Sequence, residues 1–310
     1  MSVPNAGDPG PEQPERPDAE GGTSRWHPVG ARAARPDSKS GKHEVDLTGD
    51  RTDLPAEVTT VLAPLVQRPG RSAVLLDFDG TLSPIVDVPA DARPLEGASD
   101  VLAVLARRFA VVAVVSGRPV DFLAPFVPDA VVVSGLYGLE VLHGGRRTDH
   151  PGAAPWRAVV DEVARRSVAD GPAGMVVESK GLSLTLHYRT RPDVEHAVTG
   201  WALAQAARSG LVVRPARMSV ELHPPIAADK GSAVDDLAYG VESVGFVGDD
   251  RGDLPAFDAL DRLEERGIAA VRVAVASDEV PGELVDRADL VVDGPSVVLD
   301  LLRYLAADPA

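Results

Sequence analysis

The chain has no cysteine among its 310 residues, so disulfides, thiolate metal sites and a thiol nucleophile are excluded. No apolar stretch reaches membrane-spanning length. The first residues lack an apolar core behind a basic end, so no secretory signal is expected. Positive charge is in short supply: 31 Lys and Arg face 47 Asp and Glu, a net charge of −16. That balance argues against nucleic acid and anionic membranes as partners. An anionic substrate would have to be accommodated locally, by a metal ion and a few basic side chains. What remains is a composition 44% hydrophobic, enough for one or two cored domains. A cytoplasmic enzyme with oxygen-ligand chemistry is the expectation.

Residues 1–52 are rich in Pro, Gly, Asp and Glu without apolar period, which predicts a disordered arm. A short helical pattern follows over Leu54–Val66. Apolar runs at Ala73–Asp77, Val111–Val115, Val131–Ser134, Ser243–Gly248, Ala270–Ala276 and Leu290–Val292 read as strands. Helical stripes at Leu95–Phe109 and Ser296–Leu305 lie among them. Such alternation predicts an α/β fold built on a doubly wound parallel sheet. The middle differs. Leu182, Leu184 and Leu186 alternate with Ser183, Thr185 and His187, and Val220 and Leu222 with Ser219, Glu221 and His223. Period-two alternation marks antiparallel strands with one buried face and one polar face. Residues 153–226 therefore read as an α+β insert, splitting a core of residues 53–152 and 227–310.

The most informative stretch is S-A-V-L-L-D-F-D-G-T-L, Ser72 to Leu82. A buried strand ends on Asp77 and Asp79, with Gly80 permitting a sharp exit at the edge where open α/β sheets bind ligands. Two carboxylates this close repel unless a cation or a shared proton relieves them. Three weaker signals also follow strands or precede a helix. V-V-S-G-R carries Ser116, Gly117 and Arg118; D-K-G-S places Lys230 by a helix start; V-G-D-D-R-G-D carries Asp249, Asp250 and Asp253. Taken singly, each is as ordinary as a turn, a surface lysine or a solvated acidic loop. Together they supply a hydroxyl, an ammonium and further oxygen ligands for a divalent ion.

In this order the motifs resemble the haloacid dehalogenase (HAD) superfamily of phosphotransferases. Within it, the runs S-G-R-P, G-L-Y-G-L-E (Gly135 to Glu140), E-S-K-G-L-S-L-T-L-H-Y-R (Glu178 to Arg189) and S-V-E-L-H-P (Ser219 to Pro224) are similar to those of trehalose-6-phosphate phosphatases. The likeness covers about residues 72–305. It implies a HAD-like core with an inserted α+β cap domain, and Mg²⁺-dependent hydrolysis of a phosphosugar through an aspartyl-phosphate. Asp77 is then the nucleophile and Asp79 the general acid and base. Mg²⁺ is implied on Asp77, the backbone carbonyl of Asp79, and Asp249, with Asp250 and Asp253 supporting. Ser116, Gly117 and Lys230 are implied to bind phosphate; Arg118, Glu178, Lys180 and Glu221 are implied to bind sugar. Two departures bear on the sugar: Ala216-Arg217 stand where Gly-Lys is usual, and Arg251-Gly252 precede Asp253. The competing readings are a phosphatase for sucrose phosphate or a glycosylglycerate phosphate, and a non-catalytic phosphosugar-binding relative. Functional coupling to a trehalose-phosphate synthase is a further expectation.

Overall fold

The computed structural model describes residues 43–45, 54–216, 218–277 and 280–307. In chain order the strands are β1 (His43–Val45), β2 (Ser72–Leu76), β3 (Val111–Val115), β4 (Val132–Gly135), β5 (Glu140–His143), β6 (Arg146–Asp149), β7 (Val176–Ser179), β8 (Leu184–His187), β9 (Val212–Ala216), β10 (Ser219–His223), β11 (Ser243–Gly248), β12 (Ala269–Ala276) and β13 (Leu290–Asp293). Of the arm expected over residues 1–52, the described part is β1, an edge strand paired in parallel with β13; the remainder lies outside the described residues.

The helices are α1 (Ala56–Val66), α2 (Ala98–Arg108), α3 (Val120–Leu123), α4 (Trp156–Asp170), α5 (Glu195–Ser209), α6 (Lys230–Leu237), α7 (Leu254–Glu265), α8 (Gly282–Arg287) and α9 (Gly294–Ala306).

A nine-stranded sheet runs β1-β13-β12-β11-β2-β3-β4-β5-β6 among the described residues. Its pairs are parallel from β1 to β4, and the β5–β6 hairpin extends it antiparallel. The runs S-A-V-L-L and V-V-A-V-V are buried on both faces because helices cover both. Val74 and Leu76 meet Leu62 and Leu65 of α1 and Leu105 of α2. Ala73 and Leu75, pointing the other way, meet Val234 of α6 and Phe257 and Leu260 of α7. Each fully buried leucine contributes about 1.5–3 kcal/mol.

The chain leaves β2 toward β3 on one side and returns through β11 on the other, so β2 stands at the switch point of the sheet. The carboxyl ends of β2, β3 and β11 therefore lie side by side. The Asp77 backbone N–H donates to the Val247 carbonyl at 2.9 Å, which extends that register past β2.

A second sheet, β7-β8-β10-β9, is antiparallel throughout and is formed by residues between β6 and α6. Leu184, Leu186, Val220 and Leu222 pack on Val160 and Val163 of α4 and Val198 and Ala202 of α5. Its polar side is largely buried as well, including Thr185, Ser219, Glu221 and His223. That face turns onto the first sheet: Arg214 of β9 donates to the Ala228 carbonyl at 3.0 Å and lies 5.5 Å over the Tyr137 ring. Among the described residues no helix is long and apolar enough to cross a membrane.

Candidate active site

Four segments distant in sequence meet at this edge. Asp77 leaves β2 with Oδ1 2.8 Å from Lys230 Nζ. Lys230 is the first residue of α6, set there by a capping box: Asp229 accepts from the Ser232 backbone N–H at 2.8 Å, and Ser232 Oγ accepts from the Asp229 N–H at 3.0 Å. The Lys230 ammonium also donates to Asp253 Oδ1 at 2.6 Å. Asp253 Oδ2 accepts from the backbone N–H groups of Asp249 and Asp250, at 2.9 and 3.1 Å. Asp253 thus ties the Lys230 ammonium to the loop after β11. Burial pulls the Lys230 pKa down, but Asp253 and Asp77 outweigh it and the net direction is up.

Asp249 arrives beside Gly80, whose φ of +73° opens the turn after β2. A Cβ there would lie 2.0 Å from Asp249 Oδ2, so only glycine admits the carboxylate. One oxygen each of Asp77, Asp249, Asp250 and Asp253 falls within 4.8 Å of the others. Burial, followed by the charges of Asp253 and Asp250, pushes Asp249 up to about 8. Burial likewise raises Asp77, against the opposing charge of Lys230. Asp249 Oδ1 is buried without a hydrogen-bond partner. Three buried carboxyl groups share one ammonium, so the cluster is short of positive charge. An orphaned oxygen in an all-oxygen acidic cluster fits a hard divalent cation.

Ser116 follows β3, where its N–H donates to Ser134 and its Oγ accepts from the Arg118 N–H at 3.2 Å. The Arg118 side chain lies against Asp79 rather than on the second sheet. Its Nε and Nη2 donate to Asp79 Oδ2 and Oδ1, both at 2.7 Å. Nη1 donates to the Pro89 carbonyl at 2.7 Å, and the guanidinium stacks 4.1 Å from the Phe122 ring. A bidentate, stacked arginine of this kind holds a carboxylate in one orientation.

The second sheet presents a transverse row. Glu178, Thr185, Glu221 and Arg214 are register partners across β7, β8, β10 and β9 and so share one face. Glu221 Oε1 accepts from Ser183 Oγ at 2.9 Å and stands 3.7 Å from Lys180 Nζ. Glu178 Oε2 pairs with His187 Nε2 at 2.8 Å. That hydrogen bond, acting against burial and joined by the charges of Lys180 and Arg118, lowers the Glu178 pKa. Lys180 and Glu221 are thus brought together, while Glu178 is engaged by His187. A broader depression of about 670 Å³ between α4 and β7 contains none of these residues.

Tyr137 lines a separate, narrow space with Ser183, Glu221, His223 and Arg214. In the sequence its motif G-L-Y-G-L-E stands out only as a run of similarity. The sequence signal available was an aromatic residue between glycines just beyond a strand.

A family model described as trehalose-phosphatase matches residues 75–288. The chain belongs to the trehalose-phosphatase family. A trehalose-phosphate phosphatase of Mycobacterium ulcerans is 30% identical over 300 residues, covering 90% of this chain and 75% of its own. One from Mycobacterium leprae is 32% identical over 277 residues, covering 84% and 63%. An uncharacterized glycosyl hydrolase of Mycobacterium tuberculosis is 35% identical over 256 residues, and this chain spans only 18% of its length. The C-terminal domain of the Candida albicans trehalose-6-phosphate phosphatase superposes with a TM-score of 0.64 at 22% identity, covering 82% and 98% of the two chains. The same HAD fold underlies this family member.

Proposed function

We propose that the protein is a trehalose-6-phosphate phosphatase, releasing trehalose and phosphate through an aspartyl-phosphate. The observation that carries this reading is the convergence of Asp77, Lys230, Asp249 and Asp253 past the carboxyl ends of β2 and β11.

Asp77 supplies the nucleophilic oxygen; as its bond to phosphorus forms, the ester bond to the sugar oxygen breaks. Asp79 gives that oxygen a proton and then takes one from the water that cleaves the acyl-phosphate. For this, Asp79 must leave the Arg118 guanidinium, take up a proton from solvent and carry it to the leaving oxygen. The Lys230 ammonium and the Ser116 hydroxyl compensate negative charge on the phosphoryl oxygens. Asp77, Asp249 and the Asp79 carbonyl are the proposed holders of Mg²⁺, which supplies neutralising charge and a fixed orientation for the phosphate.

Residues 153–226 act as a cap over a core of residues 53–152 and 227–310. In the cap, Glu178, Lys180 and Glu221 recognise sugar hydroxyls, since charged groups left unpaired by a wrong sugar give strong discrimination. The cytoplasm is the proposed compartment, and functional coupling to a trehalose-phosphate synthase follows from the substrate.

Phosphate release from a panel of phosphosugars, with and without EDTA, tests the proposal. Preference for trehalose 6-phosphate and loss of turnover with EDTA are expected. Equal or faster turnover of another phosphosugar would overturn the trehalose assignment.

A further inference from the structure

Tyr137 is built as an active-site residue. Leu136 and Tyr137 are consecutive non-glycine residues in the left-handed region, with φ of +50° and +59°. Such conformations are costly for non-glycine residues and persist only where surroundings impose them. Here the imposing groups belong to the S-G-R loop: the Leu136 N–H donates to the Arg118 carbonyl and the Tyr137 N–H to the Ser116 carbonyl, both at 3.0 Å. The loop that faces the phosphate therefore holds the tyrosine. Its ring lies against Gly117, where a Cβ would come within 2.5 Å of both Cζ and the phenol oxygen. The phenol sits in the field of Glu221 from the second sheet and of Lys230, Asp250 and Asp77 from the first. Arg214 covers the ring from above. Burial first, then the Glu221 charge, pushes the phenol above its ordinary range, so it stays a neutral donor.

We infer that Tyr137 hydrogen-bonds the substrate where phosphate and sugar join, its phenol engaging the sugar hydroxyl nearest the phosphate. On the proposed reading, on which this inference rests, that group is O4 of the phosphorylated glucose. The position follows from its neighbours: the ring lies against Gly117 of the S-G-R loop on one side and shares a narrow space with Glu221 and Ser183 of the second sheet on the other. Tyr137 then makes the enzyme favour sugar phosphates over phosphate esters at large.

The test is Tyr137→Phe, which keeps the ring against Gly117 and beneath Arg214. We expect kcat/KM on trehalose 6-phosphate to fall about five- to tenfold, the size of one neutral hydrogen bond. Turnover of p-nitrophenyl phosphate should stay within about twofold, and on 4-deoxy-trehalose 6-phosphate the variant and the parent should be equal. A parallel fall on the aryl phosphate, no fall on the sugar, or a persisting difference on the deoxy sugar overturns the assignment. If the variant melts early, the parent enzyme alone decides, since it should lose a similar factor on the deoxy sugar. If the parent ignores trehalose 6-phosphate but hydrolyses another phosphosugar, the functional reading fails and the Tyr137 comparison is made on that sugar. If no phosphosugar is turned over, both fail.

Discussion

Replacing Gly80 with alanine inserts one methyl group into the contact between the β2 and β11 loops. The new Cβ would lie 2.0 Å from Asp249 Oδ2, 2.2 Å from its Cγ and 2.6 Å from its Oδ1. Ordinary van der Waals contact begins near 3.4 Å, so the Asp249 carboxylate must retreat by more than 1 Å. Misplacement on that scale costs about 100-fold in rate. The backbone term is separate: alanine at φ +73° costs about 1–2 kcal/mol, or about 2–8 °C in Tm for a domain of this size. Gly144, at φ +55° with open space around it in the β5–β6 turn, supplies the control. Gly144→Ala should lower Tm comparably and leave turnover intact. Phosphate release would be followed through a Mg²⁺ titration for both variants. Gly80→Ala should lose at least about 100-fold in kcat/KM and require more metal. Activity within about threefold of the Gly144→Ala protein would refute the claim that Gly80 exists to admit Asp249.

Asp77→Asn should abolish turnover while the circular dichroism spectrum stays that of the parent; residual activity at the parental level would remove Asp77 as nucleophile. Glu221→Ala should depress kcat/KM on the sugar phosphate by at least about tenfold, with little change on an aryl phosphate, because truncation leaves Lys180 and Ser183 unpaired. Equal losses on both substrates would mean a purely structural role. Burial first, then the Arg214 charge, brings His223 down to about 4, against a hydrogen bond to the Pro224 backbone. The fold holds this imidazole neutral while the unfolded chain protonates it near pH 6.5. Its contribution to stability is therefore complete above about 6.5 and is lost as pH falls toward 4. In Tm measured against pH, His223→Gln should show a shallower decline across that window; identical slopes would count against the assignment.

The parallel sheet was legible because its strands are continuous β-branched runs, and Val111–Val115 and Ser243–Gly248 agree to the residue. The β5–β6 hairpin was not, since E-V-L-H and R-R-T-D carry neither an apolar run nor clean alternation. Asp77, Lys230 and Asp249 announced themselves through their places after strands and before a helix. Arg118 was harder, because its spacing from Asp79 along the chain gives no hint of a two-pronged contact. Tyr137 was invisible for a related reason: its proposed role depends on a left-handed backbone pair imposed by hydrogen bonds donated to the carbonyls of the neighbouring β3 exit. The middle strands showed their polar face by period two, but only tertiary packing reveals that this face is covered rather than wet.

The row formed by Glu178, Thr185, Glu221 and Arg214 takes one residue from each of four strands. On the proposed reading Glu178 and Glu221 of this row meet the sugar from two different strands, so grafting either strand alone from a relative would carry over only part of the preference. A one-residue insertion within β10 would be harsher still: it would rotate Glu221 into the leucines and bring Leu222 out onto the polar face.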